Sequence, residues 1–138
     1  MGELKKVLEL EELFFHALYG FRAYWSMGKI GRSAVGRIKQ ATGINVSGYE
    51  MILHSNDLVH FYNSHYGSQE YRHSSRGIRA EDIRQMPMIM TNFTRVRVGN
   101  TYDSLLFEKI NASECFQLVV KVDEQLKTLV GKSFRINT

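Results

Sequence analysis

Four segments near the C-terminus constrain the fold of this chain most: "TRVRVG", "SLLFEKI", "CFQLVVKVD" and "LKTLVGKSFRI". Each spans strand length and is rich in Val, Leu, Phe or Thr. Most of these residues pack well on a pleated, half-buried surface. The links between them, "GNTYD", "NASE" and "DEQ", are short and turn-like. Parallel neighbours would need a crossover of a dozen or more residues, so these segments must pair antiparallel. The expectation is a four-stranded meander.

Upstream the periodicity changes. Over residues 3–18, Leu4, Val7, Leu8, Leu10, Leu13, Phe14, Ala17 and Leu18 fall near helical spacing, with Lys5, Lys6, Glu9 and Glu12 opposite. "GFRAYWSMG" is aromatic and fits either an extension of that helix or a turn and short strand. "GRSAVGRIKQATG" reads as a basic helix. Ala34, Ile38 and Ala41 lie on one side, Arg32, Arg37, Lys39 and Gln40 face outward, and Gly43 is the C-terminal stop. Residues 44–53 read as extended with a turn at Ser47-Gly48, and Ser55 as the cap of a third helix running to about Tyr66, ended by Gly67. A polar loop follows, then a short helix "AEDIRQM" broken at Pro87. Helices first and a meander second make an α+β domain. A length of 138 residues suits one such domain, with 1–28 as a helical extension and 29–138 as its core.

Composition narrows the function classes. Hydrophobic residues are 43% and charged residues 23%, which argues against disorder. No apolar run approaches the roughly 20 residues that span a bilayer. The N-terminal "MGELKKVLELEELFF" carries acids inside its apolar stretch, unlike a secretory signal. The single cysteine, Cys115, can make no internal disulfide and excludes a cysteine-based zinc site. It fits a reducing compartment and reads as a core residue at a strand start. The net charge of +4 suits an anionic partner such as nucleic acid.

The candidate chemistry centres on "HFYNSHYG". A helical zinc pair needs histidines four apart on one face. His60 and His65 are five apart, a rotation of about 140° on a regular helix, so one ion does not easily take both, even with His73 nearby. Two readings stand. His60 is a surface polar residue and His65 a helix-end residue beside aromatics, or one or both are acid–base groups, since histidine titrates near neutral pH. Cations surround this question. Arg72, Arg76, Arg79 and Arg84 cluster in the loop and the next helix, and Arg95 and Arg97 share one face of a strand. Lys109, Lys121, Lys132 and Arg135 follow on later strands. Many of these would lie on a solvated face, but an arginine patch beside histidines suits phosphodiester chemistry. "GKIGRSAVG" lacks the spacing of a phosphate loop, and there is no nucleophile elbow.

Taken together, Thr42 to Tyr49 ("TGINVSGY"), "HFYNSHYG", "RGIRAEDI" and the meander closing on "GKSFRI" resemble the phage barnase–EndoU–colicin–RelE-like nucleases. The resemblance starts near Gly31. It implies helices packed on an antiparallel sheet, and a metal-independent endoribonuclease, phage- or prophage-encoded and toxin-like, that needs no cofactor. In such enzymes a base deprotonates the ribose 2′-OH, which attacks the adjacent phosphate, and an acid protonates the leaving 5′-oxygen. Carried over by position, His60 is the leading acid–base residue and His65 the second. Lys109 in a middle strand and Ser133 in the last complete the catalytic set, Lys109 as a phosphate contact. Arg72, Arg76, Arg79, Arg95 and Arg97 would bind substrate. The implied partner is RNA, with an antitoxin or a larger phage protein as a further one and self-association through the N-terminal helix. The implied place is the cytoplasm of a bacterial host. The alternative is a phage protein with the same fold but no activity, acting as an RNA- or protein-binding module through "FRAYW" and the N-terminal helix.

Overall fold

The computed structural model describes residues 4–64 and 75–138. The four C-terminal segments form β5 (Arg95–Val98), β6 (Ser104–Asn111), β7 (Glu114–Asp123) and β8 (Thr128–Asn137), paired antiparallel in sequence order. The sheet does not stop there. β8 also pairs in parallel with β3 (Glu50–His54). β3 pairs antiparallel with β2 (Ala23–Lys29), and β2 in parallel with β1 (Lys5–Val7). The order β1-β2-β3-β8-β7-β6-β5 is a seven-stranded mixed sheet, and β4 (Ser75–Arg76) pairs with the end of β8. The expected meander is therefore one half of a larger sheet. The other half comes from chain that reads as helix or as ambiguous, because pairing between distant segments leaves little trace in local periodicity.

The first segment shows why. Val7, Leu10 and Leu13 reach the core while Leu8 and Leu18 are exposed; Val7 does so from β1, and only Leu10 onward is helical. Helix α1 (Leu10–Leu18) buries Leu10 and Leu13. The aromatic stretch after it resolves as strand β2, whose Ala23 and Trp25 point into the core. Helix α2 (Arg32–Thr42) runs as the spacing predicts. Ala34 and Ile38 are buried, but Ala41 is exposed. It ends at Gly43 in the left-handed conformation, φ 79°. Arg37 stays at the surface but lies over the Phe93 ring, 4.1 Å from its centroid. Helix α3 (Ser55–Ser64) follows β3 directly. Its expected continuation through Tyr66 to Gly67 lies outside the described residues. Ser55 is 2% exposed, and its hydroxyl is drawn away from the helix it was expected to cap. It donates to the Phe21 carbonyl and accepts the Ala23 N–H, tying α3 to the start of β2. "AEDIRQM" becomes two short helices, α4 (Ala80–Arg84) and α5 (Met86–Thr91), with Pro87 tolerated in the first turn of the second.

Helices cover one face of the sheet. Leu105, Phe107, Leu118, Val120, Leu129, Phe134 and Ile136 point into that side and are fully buried. Phe61 of α3 packs its ring 6.1 Å from that of Phe134. Val7, Leu10, Leu13 and Trp25 belong to this same core, so residues before 29 are built into the sheet rather than appended to it. Strand alternation turns the intervening residues of β5–β8 to the opposite face, which no described helix covers. Among the described residues, no helix is long and apolar enough to cross a membrane.

Candidate functional site

The register of the open face arranges its side chains in rows. Residues directly opposite in an antiparallel ladder point to the same side. Arg97 lies opposite Leu106, Leu106 opposite Val119, and Val119 opposite Ser133. One step along the strands, Arg95, Glu108, Gln117 and Arg135 form a second row. At a strand spacing of about 4.8 Å each row crosses roughly 14 Å of sheet. The three arginines are exposed, while Glu108 is 3% exposed.

A hydrogen-bonded chain holds the second row in place. Arg95 Nε donates to Glu108 Oε1 at 2.5 Å, and its Nη2 reaches Oε2 at 3.5 Å. Gln117 Nε2 donates to the same Oε2 at 2.9 Å, and Asn137 Nδ2 donates to Gln117 Oε1 at 2.8 Å. The Arg95 hydrogen bond, helped by Gln117, holds the Glu108 carboxyl below the usual carboxylate range against the opposing effect of burial. The same bond raises Arg95. Glu108 is thus an anion that fixes a cation, with its lone pairs largely engaged. Cys115 borders this network, opposite Asn137 on β8 and Ile110 on β6. It is half-buried on the open face rather than in the core, because it shares the alternation of Gln117 and not of Phe116. Burial pushes its thiol up, so it is a poor nucleophile.

Above the rows the sheet is notched. Between Val119–Ser133 and Val120–Gly131 the register shifts, and β8 inserts one extra residue, Lys132. A Cβ at Gly131 would lie 2.7 Å from Cε of the buried Met86, the movable end of that side chain. Lys132 and Lys121, with Ser104, Leu106 and Val119, line a cleft of about 370 Å³ on the open face.

The structure separates the residues that sequence reading grouped. Arg95, Arg97 and Ser133 share the open face, joined by Arg135. Lys109 does not: two residues after Phe107 and opposite Phe116, it turns to the helix-covered side. Arg79 caps α4 and pairs with Glu81 at 3.6 Å, and Arg84 pairs with Glu11 of α1 at 2.6 Å. Both belong to the helical layer. Arg76 is in β4, opposite Ile136 of β8. His65, Arg72 and His73 lie outside the described residues. His60 is exposed on α3, one turn after Asp57, which accepts from Lys132 Nζ at 3.3 Å. α3 itself packs Leu58 and Phe61 into the core on the helix-covered side of the sheet, whereas the arginine rows lie on the other face. Among the described residues, no three His, Cys, Asp or Glu side chains stand together as a metal-ion cluster.

Residues 28–138 match the model of the phage-Barnase-EndoU-ColicinE5/D-RelE like nuclease3 family. The chain belongs to this family. The match begins inside β2 and takes in the whole meander, so the open face of this nuclease-like protein lies within it. No curated protein and no solved structure matches the chain.

Glu108, Gln117, Asn137 and Arg135 are the site residues that sequence reading passed over as a group. The signal for Glu108 was there in outline. It is an acid inside the otherwise apolar "SLLFEKI", one short link after "RVRV". Only the register that pairs it with Arg95 turns that oddity into a site.

Proposed function

We propose that this protein is a metal-independent endoribonuclease, phage- or prophage-encoded and toxin-like, whose open sheet face binds the RNA backbone. The observation that carries this reading is the pair of arginine-bearing rows on a sheet face that no described helix covers, with one arginine pre-set by a buried glutamate. Guanidinium groups match the phosphate geometry and counter the charge that builds on the phosphorane. Arg95, Arg97 and Arg135 take these roles, and Ser133 supplies a hydroxyl in the same row. Glu108 positions Arg95. Its lowered pKa makes it a weak base at neutral pH, where catalysis favours a group titrating near the working pH. Proton transfer is assigned to His60 and His65, one taking the 2′-OH proton and the other giving one to the 5′-oxygen. Arg72 and Arg76 would hold the strand beyond the rows, whereas Arg79 stands in the helical layer.

The test is cleavage of labelled single-stranded RNA and of total tRNA in EDTA. His60→Ala and His65→Ala should each lower kcat at least a hundredfold with the fold intact. Arg97→Ala and Arg135→Ala should weaken RNA binding and reduce its salt dependence. A folded wild-type protein that neither binds nor cleaves either RNA would overturn the reading.

One observation favours the non-catalytic alternative. Phe15, Leu18, Tyr19 and Phe21 are 56%, 78%, 61% and 58% exposed. The Phe15 and Tyr19 rings lie 4.9 Å apart, beside an apolar groove between α1 and α3. An exposed patch of this kind marks an interaction surface, suited to an antitoxin, a larger phage protein or a second copy of the chain.

A further inference from the structure

A second cluster of ionisable side chains lies on the open side of the sheet, at the joint between β3 and α3. Arg22, His54, Asn56, Asp57 and Lys132 line a cleft of about 220 Å³. His54 ends β3 opposite Tyr24, its ring 6.0 Å away, and alternation with the buried Leu53 turns it to the open face. Asp57 comes from the first turn of α3, and Lys132 is the residue that the β8 bulge inserts. Lys132 also lines the cleft above the arginine rows, so one side chain forms a wall of both.

The electrostatics of this cleft suit an anion. Arg22 and Lys132 set two cations against the one carboxylate of Asp57. Asp57 engages one N–H of Lys132, and the ammonium has two more to donate. Burial, with the charges of Lys132 and Arg22, keeps the His54 imidazole below its ordinary value although Asp57 pulls the other way. An entering anion would relieve the repulsion between these groups. The cleft is smaller than the roughly 300–1,000 Å³ of a pocket that encloses a whole small molecule. It has room for a phosphate group. The nearest arginine of the rows, Arg135, stands three residues beyond Lys132 on β8, about 10 Å along the strand, so the two groups hold different phosphates.

We propose that this cleft is a second phosphate subsite, taking a backbone phosphate of the same RNA strand some nucleotides away from the one held by the arginine rows. The proposal rests on the RNA reading above, and its test separates the two. Binding is measured by fluorescence anisotropy on the full chain with 2′-O-methyl oligonucleotides, which have no free 2′-OH to attack. One is short enough to cover only the rows, and one long enough to cross the whole face. Arg22→Gln, an exposed position, should weaken the long oligonucleotide several-fold and lower its log K against log salt slope by about 0.7. It should leave the short one unchanged. The His54 ring resonance in the wild type should titrate at higher pH with the long oligonucleotide bound, and not with the short one. An Arg22→Gln effect that is absent, or equal for both lengths, would overturn the subsite while leaving the RNA reading intact. A wild type that binds neither would remove both.

Discussion

At the residue scale, the arrangement of Glu108 has a consequence for stability. Its carboxyl is held below the ordinary range by Arg95 and Gln117. A carboxylate with a depressed folded-state pKa adds stability above its unfolded pKa and loses it as pH falls through the folded one. Glu108→Gln should therefore cost about 1 kcal/mol at neutral pH, a modest value because Arg95 is solvent-exposed. The gap between variant and wild type should close as pH drops below the ordinary carboxylate range, as chemical denaturation across pH would report. A gap that stays constant with pH would mean that the Arg95 bond contributes nothing in solution. Ser55 sits at the other extreme. Its hydroxyl satisfies two backbone groups of a different element, the Phe21 carbonyl and the Ala23 N–H. Ser55→Ala leaves both without it and should destabilise the fold by about 1–3 kcal/mol, measured by urea unfolding. A loss of only a few tenths would show that water replaces the hydroxyl.

At the scale of elements, the bulge in β8 decides what the open face presents. A regular strand continuing from the core-facing Gly131 would turn Ser133 inward and Phe134 outward. The bulge lets one strand keep Leu129 and Phe134 in the core while Lys132, Ser133 and Arg135 serve the open face. The meander was readable because its links are short and its pairing local. β1 and β2 were not, because Lys5–Val7 and Ala23–Lys29 find each other only after α1 has folded between them. Loss of α1 should be felt by β2 for the same reason.

At the scale of the molecule, the family match begins at residue 28, but the core begins at Val7. A fragment spanning 28–138 would lack β1, α1 and most of β2. It would uncover the edge of β3 and the core side of Leu53. Such a fragment should aggregate or fail to fold, seen by circular dichroism and light scattering. A stable, monomeric fragment would mean that the first strands are dispensable. The sequence by itself determined the α+β class, the antiparallel pairing of the last four strands but not the mixed sheet they belong to, the α2 helix with its Gly43 stop, and the resemblance that the family match bears out. These rest on local periodicity, short links and ordered motifs, which neighbouring residues carry. Tertiary structure alone decided which cations stand together. Arg95 and Arg135 are distant in sequence yet share a row, whereas Lys109, next to Glu108, turns to the opposite face. Strand register and alternation set that choice, and a single shift such as the β8 bulge reassigns it, so no count of basic residues along the chain reveals it.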